Sequence, residues 1–141
     1  MPQRDIFHET VKTVLIEDGW KITHDPLYLA FGERDLFIDL AGEKLIDAQK
    51  DIQQIAVEIK SFIGESLVNN LKEAIGQYQI YQSVLRRSRE SDRTLYLAIT
   101  EDAHAGIFSE PLGNIILLDY KINLIVFDKT REVITQWMDS V

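Results

Sequence analysis

The chain contains no cysteine among its 141 residues. Disulfides and thiolate metal sites are thereby excluded, and a reducing compartment is the natural setting. Base is scarce as well: 15 Lys and Arg face 23 Asp and Glu, a formal net charge of −8. Gripping nucleic acid relies on cationic side chains that neutralise phosphates. An acidic chain therefore repels DNA overall unless its few bases cluster, a metal intervenes, or a partner supplies charge. Long apolar runs are missing too. None approaches membrane-spanning length, and residues 1–5 (Met1-Pro2-Gln3-Arg4-Asp5) have none of a signal peptide's apolar core. A cytoplasmic protein with no membrane partner is expected. Repeats, low-complexity linkers and domain boundaries are absent, and the length suits one domain over residues 1–141 rather than two.

What is present is the balance of a soluble globular protein, 45% hydrophobic and 27% charged. Phe7, Val11, Val14 and Leu15 lie on one stripe and predict a helix over residues 5–18, with Gly19 as its stop. His8-Glu9 on that helix lacks the second histidine of a zinc protease, since Lys12 stands where it would be needed. A short strand is expected over residues 20–23, and Asp25-Pro26 begins a turn. A second strand spans residues 35–40, where Leu36, Ile38 and Leu40 alternate with Asp35, Phe37 and Asp39. Residues 41–49 allow a helical turn, but a continuing strand that hairpins through Lys50-Asp51 is preferred.

The strand entered by that hairpin carries the most informative stretch, Gln54-Ile55-Ala56-Val57-Glu58-Ile59-Lys60-Ser61. Its β-branched run reads as buried. Side chains two apart on a strand share a face, so Glu58 and Lys60 point the same way. A buried charge is costly unless it is paired or bound to a metal. After a loop over residues 62–65, Ser66 caps a helix that runs to about Arg87 and carries Gln77 and Tyr81 one turn apart. Arg86, Arg87, Arg89 and Arg93 then form the chain's only basic cluster. It serves either as a set of cations at a helix C-terminus or as a phosphate contact. Strands follow over residues 94–100, 124–127 and 133–137, the last two joined by a turn at residues 128–131. Residues 101–110 read as loop or short helix interrupted by Pro111, and residues 112–120 as either helix or strand. The fold class is mixed α/β, a central sheet flanked by helices.

An upstream acid, then Glu58-x-Lys60, then Gln77-x-x-x-Tyr81 resembles the PD-(D/E)xK nuclease superfamily. The chemistry suits that order. Phosphodiester hydrolysis needs a metal to polarise the phosphate and supply hydroxide near neutral pH, and magnesium prefers one or two carboxylates plus other oxygens. One Asp of the second strand and Glu58 would supply them, with the Ile59 carbonyl as a further ligand. Lys60 would orient the attacking water or steady developing charge. Asp35 and Glu43 compete with Asp39, because a bulge would bring any of them opposite Glu58.

The likeness extends further. His8, Asp18-Gly19-Trp20, His24-Asp25-Pro26-Leu27, Ile38-Asp39-Leu40, Ala56-Val57-Glu58-Ile59-Lys60-Ser61-Phe62, Gly76-Gln77-Tyr78, Tyr96-Leu97-Ala98, Leu124-Ile125-Val126-Phe127 and Gln136-Trp137 resemble the fdxN element excision controlling factor family, XisH. This resemblance covers essentially the whole chain. It implies a restriction-endonuclease-like fold in a cyanobacterial family that acts in excising a DNA element, alongside a second small factor, XisI, and a separate recombinase. Carried over, the site is Asp39, Glu58 and Lys60, with Gln77 supporting and Glu9 as a further acid. The implied cofactor is magnesium or manganese, with Arg86, Arg87 and Arg89 as DNA contacts. Expected partners are DNA, held with help, XisI and a further copy of the chain. The function classes implied are a metal-dependent DNA endonuclease, a non-catalytic control factor that uses the fold to bind DNA or protein, and an antitoxin-like or structural partner.

Overall fold

Alternation along one strand divides the molecule. In the computed structural model, which describes residues 4–49, 51–64 and 66–140, β5 (Ile52–Ile59) lies inside a six-stranded sheet. Its odd residues Ile55, Val57 and Ile59 pack in one core cluster with Val11, Val14 and Leu15 of α1 (His8–Glu17). Ala56 packs in the other cluster, against Leu71, Ala74 and Tyr78 of α2 (Leu67–Arg86). The sheet is thus covered by α1 on one face and by α2 on the other. Burying a large apolar side chain stabilises by about 1.5–3 kcal/mol, so each face has several anchors.

The sheet order is β1-β4-β5-β6-β7-β8, from β1 (Lys21–His24), β4 (Leu40–Leu45), β5, β6 (Thr94–Thr100), β7 (Leu124–Asp128) and β8 (Val133–Met138). β5, β6 and β7 run parallel, and the outer pairings are antiparallel. The expected central mixed sheet flanked by helices is what forms. Within the described residues, no helix is long and apolar enough to cross a membrane.

Several local expectations change. Residues 27–31, which lie between two turn signals, form β2 (Leu27–Phe31), which among the described residues pairs only with β3 (Arg34–Ile38), as a separate hairpin. The strand expected over residues 35–40 breaks at Asp39, between β3 and β4. Helix α1 starts later than residue 5. The Asp5 Oδ1 atom accepts the Phe7 N–H at 2.9 Å and the Asp5 carbonyl accepts the His8 N–H at 3.0 Å, closing a turn before the helix.

The other elements follow their local signals. The hairpin into β5 forms, although Lys50 itself, like Glu65 of the expected loop, lies outside the described residues. Ser66 caps α2, its Oγ accepting the Asn69 N–H at 3.2 Å. Pro111 opens a helix instead of interrupting one. It occupies the first turn of α4 (Pro111–Tyr120), where its missing N–H costs no hydrogen bond. The short helix α3 (Glu101–Ala105) precedes it. A Cβ on Gly113 would lie 2.0 Å from the Ile107 carbonyl oxygen, so α4 crosses that backbone at a distance only glycine allows.

Candidate active site

Because Ala56 faces α2, strand alternation turns Glu58 to the same side, and Lys60 follows just past the strand's end. The Lys60 N–H donates to the Ala98 carbonyl at 3.2 Å, so the backbone stays in register with β6 as far as the lysine. Glu58 is buried, with 6% of its surface exposed. The break between β3 and β4 brings Asp39 beside it. Two reciprocal bonds lock the pair: the Asp39 N–H donates to Glu58 Oε1 at 3.2 Å, and the Ile59 N–H donates to Asp39 Oδ2 at 2.9 Å. Glu58 is thus held by the backbone at the β3–β4 break, and Asp39 by the backbone of β5.

These two groups share a cleft of about 330 Å³ with Arg4, Asp5, Phe37, Ile59, Lys60, Glu73, Gln77 and Tyr81. Lys60 Nζ lies 3.1 Å from Glu73 Oε1. Gln77 and Tyr81 come from the flank of α2 nearest the strand end. The electrostatics are unusual for acids. Burial, followed by the charge of Asp39, pushes the Glu58 carboxyl up to about 9. Burial also raises Asp39, although the Ile59 N–H pulls the other way. Burial raises the Tyr81 hydroxyl to about 12, with Glu58 and Asp39 adding to the effect.

Two like charges held together away from water favour either a retained proton or a bound cation. The donor set fits a hard divalent ion. Asp39, Glu58 and the Ile59 carbonyl would supply oxygens, and the open side of the cleft leaves room for water and phosphate oxygens, as magnesium prefers. No group of three or more His, Cys, Asp or Glu able to hold a metal is found among the described residues, so a closed zinc-type cage does not fit.

The structure separates the sequence candidates. Asp39, Glu58, Ile59, Lys60 and Gln77 meet in the cleft. Asp35 and Glu43 do not: Asp35 accepts the Tyr28 hydroxyl on the separate hairpin, and Glu43 pairs in register with Lys21 and Gln54. Glu9 is also outside. Its side chain is 73% exposed and is bridged by Arg4 at 3.2 Å, because it lies across the helix from the buried Val11 and so faces solvent. Asp5 takes the place expected for it, lining the cleft while its Oδ2 accepts the Ser61 N–H at 3.0 Å. Arg86, Arg87 and Arg89 are exposed at the far end of α2, and none lines the cleft. Arg86 instead borders a separate polar cavity with Lys121 and Asn123. Arg93 borders that same cavity but is itself buried, its guanidinium bonded to backbone carbonyls.

A second polar group ties α1 to the turn before β2. Asp25 accepts His8 Nε2 at 2.7 Å and Lys12 Nζ at 2.9 Å. Burial pushes the Asp25 carboxyl up, but the bonds from Lys12 and His8 outweigh it and leave it below the usual range. Sequence reading passed over Asp5 and Phe37. Neither carries a local signal, since Asp5 reaches the site only through a contact 56 positions along the chain.

A family model described as XisH protein matches residues 1–135. A solved structure of an XisH family protein from Nostoc punctiforme PCC 73102 is 34% identical, with a TM-score of 0.85, covering 96% of this chain and 100% of that one. A fdxN element excision controlling factor protein from Anabaena variabilis is 38% identical, also at 0.85, with the same 96% and 100% coverage. Among curated proteins, none matches the chain.

Proposed function

The chain belongs to the XisH family, and on that premise we propose that it serves excision of a DNA element as a divalent-metal-dependent endodeoxyribonuclease of the PD-(D/E)xK kind. The observation that carries this reading is the meeting of Asp39, Glu58, Lys60 and Gln77 in one cleft, with Glu58 accepting the Asp39 N–H and Asp39 accepting the Ile59 N–H. Asp39, Glu58 and the Ile59 carbonyl would hold magnesium or manganese. When bound, such an ion polarises the scissile phosphate and makes hydroxide available near neutral pH. Lys60 orients the attacking water and steadies charge building on the phosphate. Its present partner, Glu73, is largely exposed and holds it only weakly, so the ammonium is free to turn to a substrate. Gln77 adds a neutral donor from α2.

The −8 charge sets the limit on DNA binding by the isolated chain. Arg86, Arg87 and Arg89 would touch phosphates only outside the cleft, and a second protein is needed to supply the remaining cations. XisI is the partner proposed for that part. The same charge favours a second reading, a non-catalytic control factor that uses the fold to bind protein or DNA. Supercoiled plasmid with manganese separates the two. Wild type, with and without XisI, should nick it, while Glu58→Ala and Lys60→Ala should not. Nicking shared equally by all three would assign the activity elsewhere, and none by wild type in either condition would leave the control-factor reading.

A further inference from the structure

The hairpin that delivers Asp39 to the cleft has two unlike faces. Leu27, Leu29 and Ile38 point inward and are buried. On the outer face Tyr28 stands directly across from Phe37, ring centroids 5.5 Å apart and tilted by 49°. Tyr28 is 52% exposed, and its hydroxyl donates to Asp35 Oδ1 at 2.7 Å, which fixes the direction of the ring. Phe37 lines the same cleft as Asp39, Glu58 and Lys60. A cross-strand aromatic pair stabilises a ribbon modestly wherever it lies. Nothing in that role requires it to open onto a carboxylate cleft.

We propose that Tyr28 and Phe37 form a stacking platform for an unpaired DNA base at the mouth of the cleft, so that the strand taken is single or locally melted rather than intact duplex. Stacking is tolerant of sequence, because every base has a π-face. It also asks little of the protein's charge. Duplex recognition through phosphates requires cations that this acidic chain has in short supply, whereas one stacked base fixes a neighbouring phosphate without them. With its base on the outer face of the hairpin, the adjoining phosphate would lie toward Asp39, two residues on from Phe37.

This inference rests on the proposed DNA reading for its ligand, and its test reads binding apart from cleavage. Fluorescence anisotropy would compare a short fluorescein-labelled thymidine strand with the same strand in duplex, using calcium in place of magnesium. Wild type should prefer the single strand, and Tyr28→Leu should weaken that binding by about fivefold or more. Tyr28→Phe, which keeps the ring and loses the hydroxyl, should stay near wild type. Should Tyr28→Leu fail to fold, as judged by its melting curve, Phe37→Leu is read in its place. Equal or tighter binding of duplex, unchanged binding by the leucine variant, or no binding of either strand would overturn the platform. Single-strand preference without any nicking would sink the nuclease reading and keep the platform. Nicking without that preference would do the reverse.

Discussion

Two charged side chains are equally buried in this protein, and they are compensated in opposite ways. Arg93, just before β6, and Glu58, near the end of β5, each expose only 6% of their surface. Arg93 is satisfied on every side. Its Nε meets Glu90 at 2.6 Å, one Nη donates to the Gly42 and Ile55 carbonyls at 3.1 Å each, and the other reaches Thr23 Oγ1 at 3.3 Å. It ties β4 and β5 to the turn before β6. Glu58 is placed beside another acid, and only one backbone N–H answers it. Burial alone therefore does not mark a site. The sign of what surrounds the charge does, because a folded chain tolerates like charges only where a proton or cation completes them.

The largest effect should follow from breaking the satisfied partner. Arg93→Ala strands two buried carbonyls and the Glu90 carboxylate, and removing one member of a buried pair costs about 3–5 kcal/mol. Urea unfolding should show a loss of that order. Loss below about 1 kcal/mol would mean that water enters and replaces the guanidinium, and that the two ends of β5 are less different than they look.

Glu58 should behave in the contrary sense. Its folded carboxyl, at about 9, lies above the ordinary 4.5, so the metal-free protein favours the protonated form. Stability from this group is complete below about 4.5 and is lost as pH rises toward about 9. Asp39 is shifted the same way and adds to the slope. Melting temperature in a chelator should fall across that window, and Glu58→Gln should flatten the fall. Millimolar magnesium or manganese should raise wild-type melting most at the alkaline end, where the site carries most charge, and leave Glu58→Ala unmoved. An equal rise in that variant would locate the ion elsewhere.

A finer change tests how far the acidic character of the cleft extends. Asp5 adds its negative charge to the field at both Asp39 and Glu58. Asp5→Asn keeps one oxygen acceptor and removes the charge. Manganese affinity by calorimetry should drop a few-fold while the fold persists. Unchanged affinity would make Asp5 solely a backbone brace for Phe7 and Ser61.

The same contrast shows which parts of the molecule the sequence could reveal. Strand period alone puts Glu58 and Lys60 on one face, and both line the same cleft, although β5 itself ends at Ile59. The choice among Asp35, Asp39 and Glu43 was beyond it, because that depends on where β3 ends and the hairpin peels away from the sheet. Helix α2, with its Ser66 cap and apolar stripe, was readable from local spacing. Helix α4 was not, since a short apolar run has no period until Pro111 is placed at its first turn. Adjacency along the chain groups Arg93 with Arg86, Arg87 and Arg89. Only the return of β4 and β5 past it, residues 42 and 55 in particular, turns it inward.

The smallest effect on stability is expected at Lys60, and there the smallness is informative. Its side chain is 17% exposed and its ion-pair partner among the described residues, Glu73, is 59% exposed, a pairing that solvent screens from the Glu73 side and that contributes about 0–1 kcal/mol at most. Unlike Arg93, it holds no buried carbonyl in place. Lys60→Ala should therefore melt within a degree or two of wild type and unfold at nearly the same urea concentration. If Lys60 were one more structural cation, its removal would cost what Arg93 costs, and a drop of several kcal/mol would say so. A near-silent melt combined with lost nicking would place its value in the transition state instead of the folded ground state, because an interaction formed only as charge builds on the phosphate leaves no trace in the unfolding curve.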